Sequence, residues 1–166
     1  MDIRSIGEPE DEIRSRFSPE KLSVRANQAA EARALRIANR FVEILKSHIE
    51  LQDLNWDPLS SDYAAFKRAT GLDPRIWIAT GLLLEQIEVT PSKETTSHGG
   101  TEIRKGFFAG ITRDKMHDDV PTWLIADALE HGVAERGLPA RPLFGPSEKE
   151  LVNEEKEYDR THGEGR

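Results

Sequence analysis

Apolar residues recur along positions 22–49 at steps of mostly three and four: Leu22, Ala26, Ala30, Ala34, Ile37, Phe41, Ile44 and Ile49. This period predicts one long helix with a single apolar stripe, its other faces taken by Glu31, Arg33, Arg36, Arg40, Glu43 and Lys46. Ser18-Pro19-Glu20 supplies a start: a capping hydroxyl, a proline pre-set for the first helical position and an acid at the positive end of the dipole. The helix is expected to end near His48. Its alanine-rich first half lets a neighbour approach closely, whereas residues 41–49 carry the bulkier burial. A helix this long outreaches a small core, so its overhang is a candidate partner surface.

The period then changes. Asn55-Trp56-Asp57-Pro58 with Ser60-Ser61 reads as a turn, and residues 62–69 as a short helix that Gly71 terminates. Leu83, Ile87 and Val89 alternate with Leu84, Gln86 and Glu88, which predicts a strand ended by Pro91. Residues 92–100 are polar and read as a mobile hairpin tip. The second strand places Ile103, Lys105, Phe107, Ala109 and Ile111 on one face and Glu102, Arg104, Phe108 and Thr112 on the other.

Residues 121–132 form a compact helix, with Asp118 or Asp119 as cap, Pro121 at its start and Gly132 at its end. The segment 137–146 holds Pro139, Pro142 and Pro146 and is expected to be an extended, stiff strap. Ser147 to Glu150 has the spacing of a capping box, so a last charged helix is expected over 148–158. The fold class is α+β: a long N-terminal helix packed on a small, mainly antiparallel sheet, with a short second helix and a C-terminal helix. Residues 18–158 are expected to make a single domain, flanked by a charged arm at 1–17 and a tail at 159–166 that reads as frayed from Thr161 onward.

Composition narrows the partners. The chain of 166 residues carries 23 Lys and Arg against 30 Asp and Glu, a net charge of −7, which argues against electrostatically driven binding of DNA or RNA. It has no cysteine, which removes disulfides, thiolate metal sites and cysteine nucleophiles together. No apolar run is long enough to cross a bilayer, and Met1-Asp2-Ile3-Arg4 does not begin a secretory leader.

Thr80-Gly81-Leu82 before a strand, then Leu129-Glu130-His131-Gly132, then Leu138-Pro139-Ala140-Arg141-Pro142-Leu143-Phe144 before a charged helix follow one another in an order that has a parallel. The chain resembles the neck and head–tail joining proteins of tailed bacteriophages, the tail-completion and Mu-type virion-morphogenesis group, over roughly residues 20–158. The resemblance implies a structural virion protein without chemistry or cofactor of its own, found at the head–tail interface and, during assembly, in the host cytoplasm. It implies a ring, a hexamer by analogy, between connector and tail proteins, with genomic DNA passing through the lumen without specific binding. Trp56, Thr80, Gly81, Glu130, Gly132, Pro139, Arg141, Pro142 and Phe144 are then the candidate interface residues. Arg141, set between two prolines with Phe144 nearby, would dock at low ordering cost; the simpler alternative pairs it with Glu130 or Glu135 in its own chain. A ring around DNA would also give the acidic last helix, with Glu148, Glu150, Glu154, Glu155 and Glu157, a place in the lumen; the alternative is another solvated face.

Two other classes remain open on sequence alone. His117-Asp118-Asp119 with Glu130-His131 offers ligand types for a metal-dependent hydrolase, although the spacing matches no helical zinc motif. Ser97-His98-Gly99-Gly100 lies between strands and has neither a nucleophile elbow nor a phosphate-binding loop around it. A non-virion assembly chaperone is the third reading.

Overall fold

The computed structural model describes residues 19–97, 101–112, 115–117 and 119–162, with side chains from residue 23 onward except at 92–105. The arm at 1–17, the tip residues 98–100, Asp118 and residues 163–166 lie outside that description. The architecture is α+β. Helix α1 (Pro19–Leu51) runs one turn's fraction beyond its expected end and packs on the hairpin of β1 (Glu88–Ser97) and β2 (Thr101–Gly110). Between them come α2 (Ser61–Ala69) and the single turn α3 (Leu82–Glu85). After the hairpin follow the two-residue strands β3 (Met116–His117) and β4 (Val120–Pro121), then α4 (Thr122–His131), the 3₁₀ turn Ala134–Arg136 and α5 (Phe144–His162).

Among the described side chains of α1, the buried ones lie in its second half. Ala38, Ile44, Leu45, His48 and Ile49 face inward, and Leu45 and Ile49 meet Trp77, Ile78, Ile87, Ile111, Ala126 and Leu143 in one core. Residues 23–33 are all exposed, and Val24 at 53% and Leu35 at 39% present apolar surface to solvent. At 1.5 Å per residue, that stretch projects about 20 Å past the first buried side chain, Ala38.

Helix α5 returns along this overhang. Arg33 pairs with Asp159, Arg36 with Glu155 and Arg40 with Glu154, so the two helices run antiparallel. The Arg36 guanidinium also lies 4.5 Å from the Tyr158 ring centre. Much of the acidity assigned by sequence to a lumen is therefore spent within the chain. Glu154 and Glu155 face arginines of α1, and Glu150 lies 3.2 Å from His48 Nε2 without hydrogen-bond geometry.

The Arg40 fork donates two 2.7 Å hydrogen bonds to Glu154 and holds its carboxyl below the usual range. Because the folded-state value is depressed, this pair stabilises the helix pairing above the ordinary carboxylate range and loses its contribution as pH falls through the lower folded value. Amide exchange in α5 around Glu154 is expected to speed up relative to core amides below about pH 4. Arg40→Met should remove that pH-dependent difference; exchange in α5 that keeps pace with the core across the acid range would contradict it.

Several boundaries differ from the sequence reading. Residues 82–85 are a helical turn and the strand starts at Glu88, running through Pro91 rather than stopping there. Pro91 pairs opposite Phe107 in a two-stranded ribbon, where each strand is an edge and can spare a donor. The ladder continues to Ser97 opposite Thr101, which takes most of the expected tip into strand. Helix α4 has Pro121 as its N-cap residue with no side-chain cap bond, so Asp119 does not cap it. Helix α5 begins at Phe144, not Glu148, and Ser147 is a buried helical residue whose hydroxyl donates to the Leu143 carbonyl at 2.7 Å. It runs to His162, where the imidazole stacks on Tyr158 at 4.4 Å, so residues 159–162 continue the helix.

Candidate functional site

The strap is fixed by a knot of main-chain and side-chain bonds. Gln52 and Asn55, both left-handed at φ 55° and 51°, turn the chain after α1 and lay Trp56 beside Trp77, ring centres 6.4 Å apart. The two indoles then hold the strap from one side: Trp56 Nε1 donates to the Pro142 carbonyl at 2.7 Å and Trp77 Nε1 to the Arg141 carbonyl at 3.1 Å. From the other side the Arg141 amide donates to the Leu129 carbonyl at 2.7 Å. Phe144 meets Trp77 edge-on at 6.2 Å.

Glu130 explains why α5 starts early. Its Oε2 accepts the Leu143 amide at 2.7 Å and the Phe144 amide at 3.2 Å, which satisfies donors at the helix start and sets a negative charge at its positive end. Pro146 sits in the first turn, where no intrahelical bond is asked of its nitrogen. Gly132 closes the same knot. At φ 75° and ψ 170°, a Cβ there would stand 2.6 Å from the Ala140 nitrogen and 2.8 Å from the Leu138 carbonyl oxygen. Val133 and Leu138 exchange two backbone hydrogen bonds just beyond it and pinch off the loop of the 3₁₀ turn.

Arg141 is buried, at 3% exposure, and does not pair with Glu130 or Glu135. Its Nε donates to the Asp57 carbonyl at 3.1 Å and its Nη2 to the Pro58 carbonyl at 3.2 Å. The guanidinium thus ties the strap to the turn after α1, and burial pushes its pKa down. Trp56 is half-buried against the core. The structure therefore gathers Trp56, Glu130, Gly132, Pro139, Arg141, Pro142 and Phe144 in one place. Pro142 keeps an exposed surface; Trp56, Glu130, Gly132 and Arg141 make intrachain contacts.

Thr80 faces the knot across a cavity of about 660 Å³, and Gly81 follows it outside the cavity wall. Gly81, at φ 89°, starts α3, and exposed Thr80 shares the cavity wall with Pro139 and Arg141. The sequence offered no sign of the residue beneath it. Lys67 lies in a helix that reads as solvated, yet it is 2% exposed, and its Nζ donates to the Arg75 carbonyl at 2.8 Å and to the Ile78 carbonyl. Gln52 grips the intervening residue, donating to the Ile76 carbonyl at 3.0 Å and accepting its amide at 2.7 Å. These clamps hold Trp77 in a left-handed conformation at φ 65°, costly for a bulky side chain.

The histidines are not brought together. His117 lines the large cavity, whereas Glu130 and His131 line a separate cleft under the hairpin, with His131 3.6 Å from Asp127. No group of three metal-ligating side chains forms among the described residues. Comparison with protein-family models, with curated proteins and with solved structures finds no match for the chain.

Proposed function

We propose that the chain is a structural subunit of the head–tail junction of a tailed phage, a neck or tail-completion protein that acts as a ring, with six copies by analogy. The observation that carries this reading is the projecting half of α1. A helix is costly to hold in water by itself, yet residues 23–33 extend past the core with Val24 and Leu35 exposed. Head-to-tail contact along such an overhang closes a ring when the rotation between copies closes. The order of the Thr-Gly, Glu-His-Gly and Pro-Ala-Arg-Pro segments supports the same assignment, and the bonding of the last two into one rigid knot suits a part that bears load and performs no reaction. In this reading the neighbours are connector and tail proteins, and DNA crosses the lumen without specific contacts.

Val24→Asp together with Leu35→Lys tests it. Both side chains are exposed, so unfolding free energy should change by no more than about 0.5 kcal/mol per site. Sedimentation velocity should show closed oligomers for the unmodified chain and subunits for the double variant. Monomers at every concentration, or variants that assemble like the parent, would sink the proposal.

A further inference from the structure

We infer that the cavity between α2, α4 and the strap is a binding site for a carboxylate carried on an apolar body. The inference does not depend on the ring. Two cations, Lys67 and Arg141, line this cavity at 2% and 3% exposure, and neither has a carboxylate within ion-pair distance among the described residues. They stand close enough for Arg141 to work against the charge on Lys67. The acid that acts on Lys67, Asp73, is itself gripped by the Arg75 guanidinium at 2.6 Å, which holds its carboxyl down at about 2.

Donors are left over. A lysine has three, of which two go to the Arg75 and Ile78 carbonyls; an arginine has five, and two of those of Arg141 go to Asp57 and Pro58. Thr122, 1% exposed in the same wall, has a hydroxyl with no hydrogen-bond partner among the described residues. Buried cations with spare donors and an unpaired hydroxyl are costly by themselves and favourable once an anion accepts from them.

The remaining wall decides the class of anion. Ile76, Leu83, Ile125, Leu129 and Leu138 give it an apolar surface, and the exposed Tyr63, stacked on Phe66 at 6.2 Å, extends that surface at the rim. A phosphate dianion would leave oxygens against these side chains. A monocarboxylate puts both oxygens on the cations and the hydroxyl and its apolar part on the wall, in a volume typical of ligand sites.

Calorimetric titration of the full chain with decanoate and with decanol tests this. Decanoate should bind about tenfold to a hundredfold more tightly than decanol, the difference expected for charge-assisted hydrogen bonds. Thr122→Val, nearly isosteric, and Lys67→Met should each weaken decanoate and leave decanol unchanged, with folding checked by circular dichroism. Equal affinity for acid and alcohol, no binding of either, or unchanged decanoate affinity in folded Thr122→Val and Lys67→Met would overturn it. A peptide of residues 8–17, rich in carboxylates beside Ile13 and Phe17, separates the two sources of such a group: displacement of decanoate points to a protein segment, and decanoate binding that the peptide does not disturb points to a free acid.

Discussion

Gly132→Ala is expected to lower stability by about 3 kcal/mol or more, because two separate costs fall on one atom. The first is conformational: φ 75° with ψ 170° lies in a region that essentially only glycine occupies. The second is steric, since the added methyl would stand 2.6 Å from a backbone nitrogen and 2.8 Å from a backbone oxygen, neither of which can swing aside as a side chain does. For a chain of this size the thermal midpoint should fall by roughly 6–12 °C. Gly137→Ala is the matched control. Gly137 also has a positive φ, 63°, but a Cβ there meets nothing within 4 Å, so only the conformational cost of about 1–2 kcal/mol applies. Equal losses in the two variants would mean that the strap does not press on Gly132.

Arg141→Ala is the second large effect, expected at about 3 kcal/mol. It strands the Asp57 and Pro58 carbonyls and empties the space that the buried side chain fills. The loss of an unpaired buried charge offsets part of this, which is why the figure is not larger. Arg141→Lys should recover less than half, because a point-like ammonium cannot bridge both carbonyls as the planar fork does. Trp56 and Trp77 donate to the strap on either side of Arg141, so intrinsic tryptophan emission should shift to longer wavelength in step with the stability loss. A stable Arg141→Ala protein with unchanged emission would show that the two indoles, not the guanidinium, hold the strap.

Much of the fold was legible because its signals are local. The three-and-four spacing of apolar residues gave α1 nearly to its last turn, and the Gly71 and Gly132 stops are where the chain leaves its helices. What sequence misplaced depends on partners far along the chain. Helix α5 starts at Phe144 because Glu130, thirteen and fourteen residues earlier, takes its first amides, and no local capping pattern contains that residue. The strand through Pro91 was cut short because a proline reads as a stop, although an edge strand tolerates it.

Seven of the nine candidate residues lie together, and the bonds that hold them there were not legible in the sequence. A Pro-Ala-Arg-Pro strap marks a rigid segment, but whether its arginine points out or in is set by the turn at Asp57 and Pro58, over eighty residues away. Trp56 and Arg141 make internal bonds, and the exposed part of α1 is a further candidate for contact. Lys67 escaped altogether, since Lys67-Arg68 on a short polar helix looks like any solvated pair until the segment 75–78 folds over it. The same long-range closure creates the cavity, which no run of neighbouring residues announces.

Location decides whether the chain is a neck protein. Immunogold electron microscopy of purified tailed-phage particles from the source of this chain, with antibody raised against the exposed half of α1, is the most direct measurement. Label confined to the junction of head and tail is the expected result. Particles complete with heads and tails but unlabelled, and free of the chain by mass spectrometry, would contradict it.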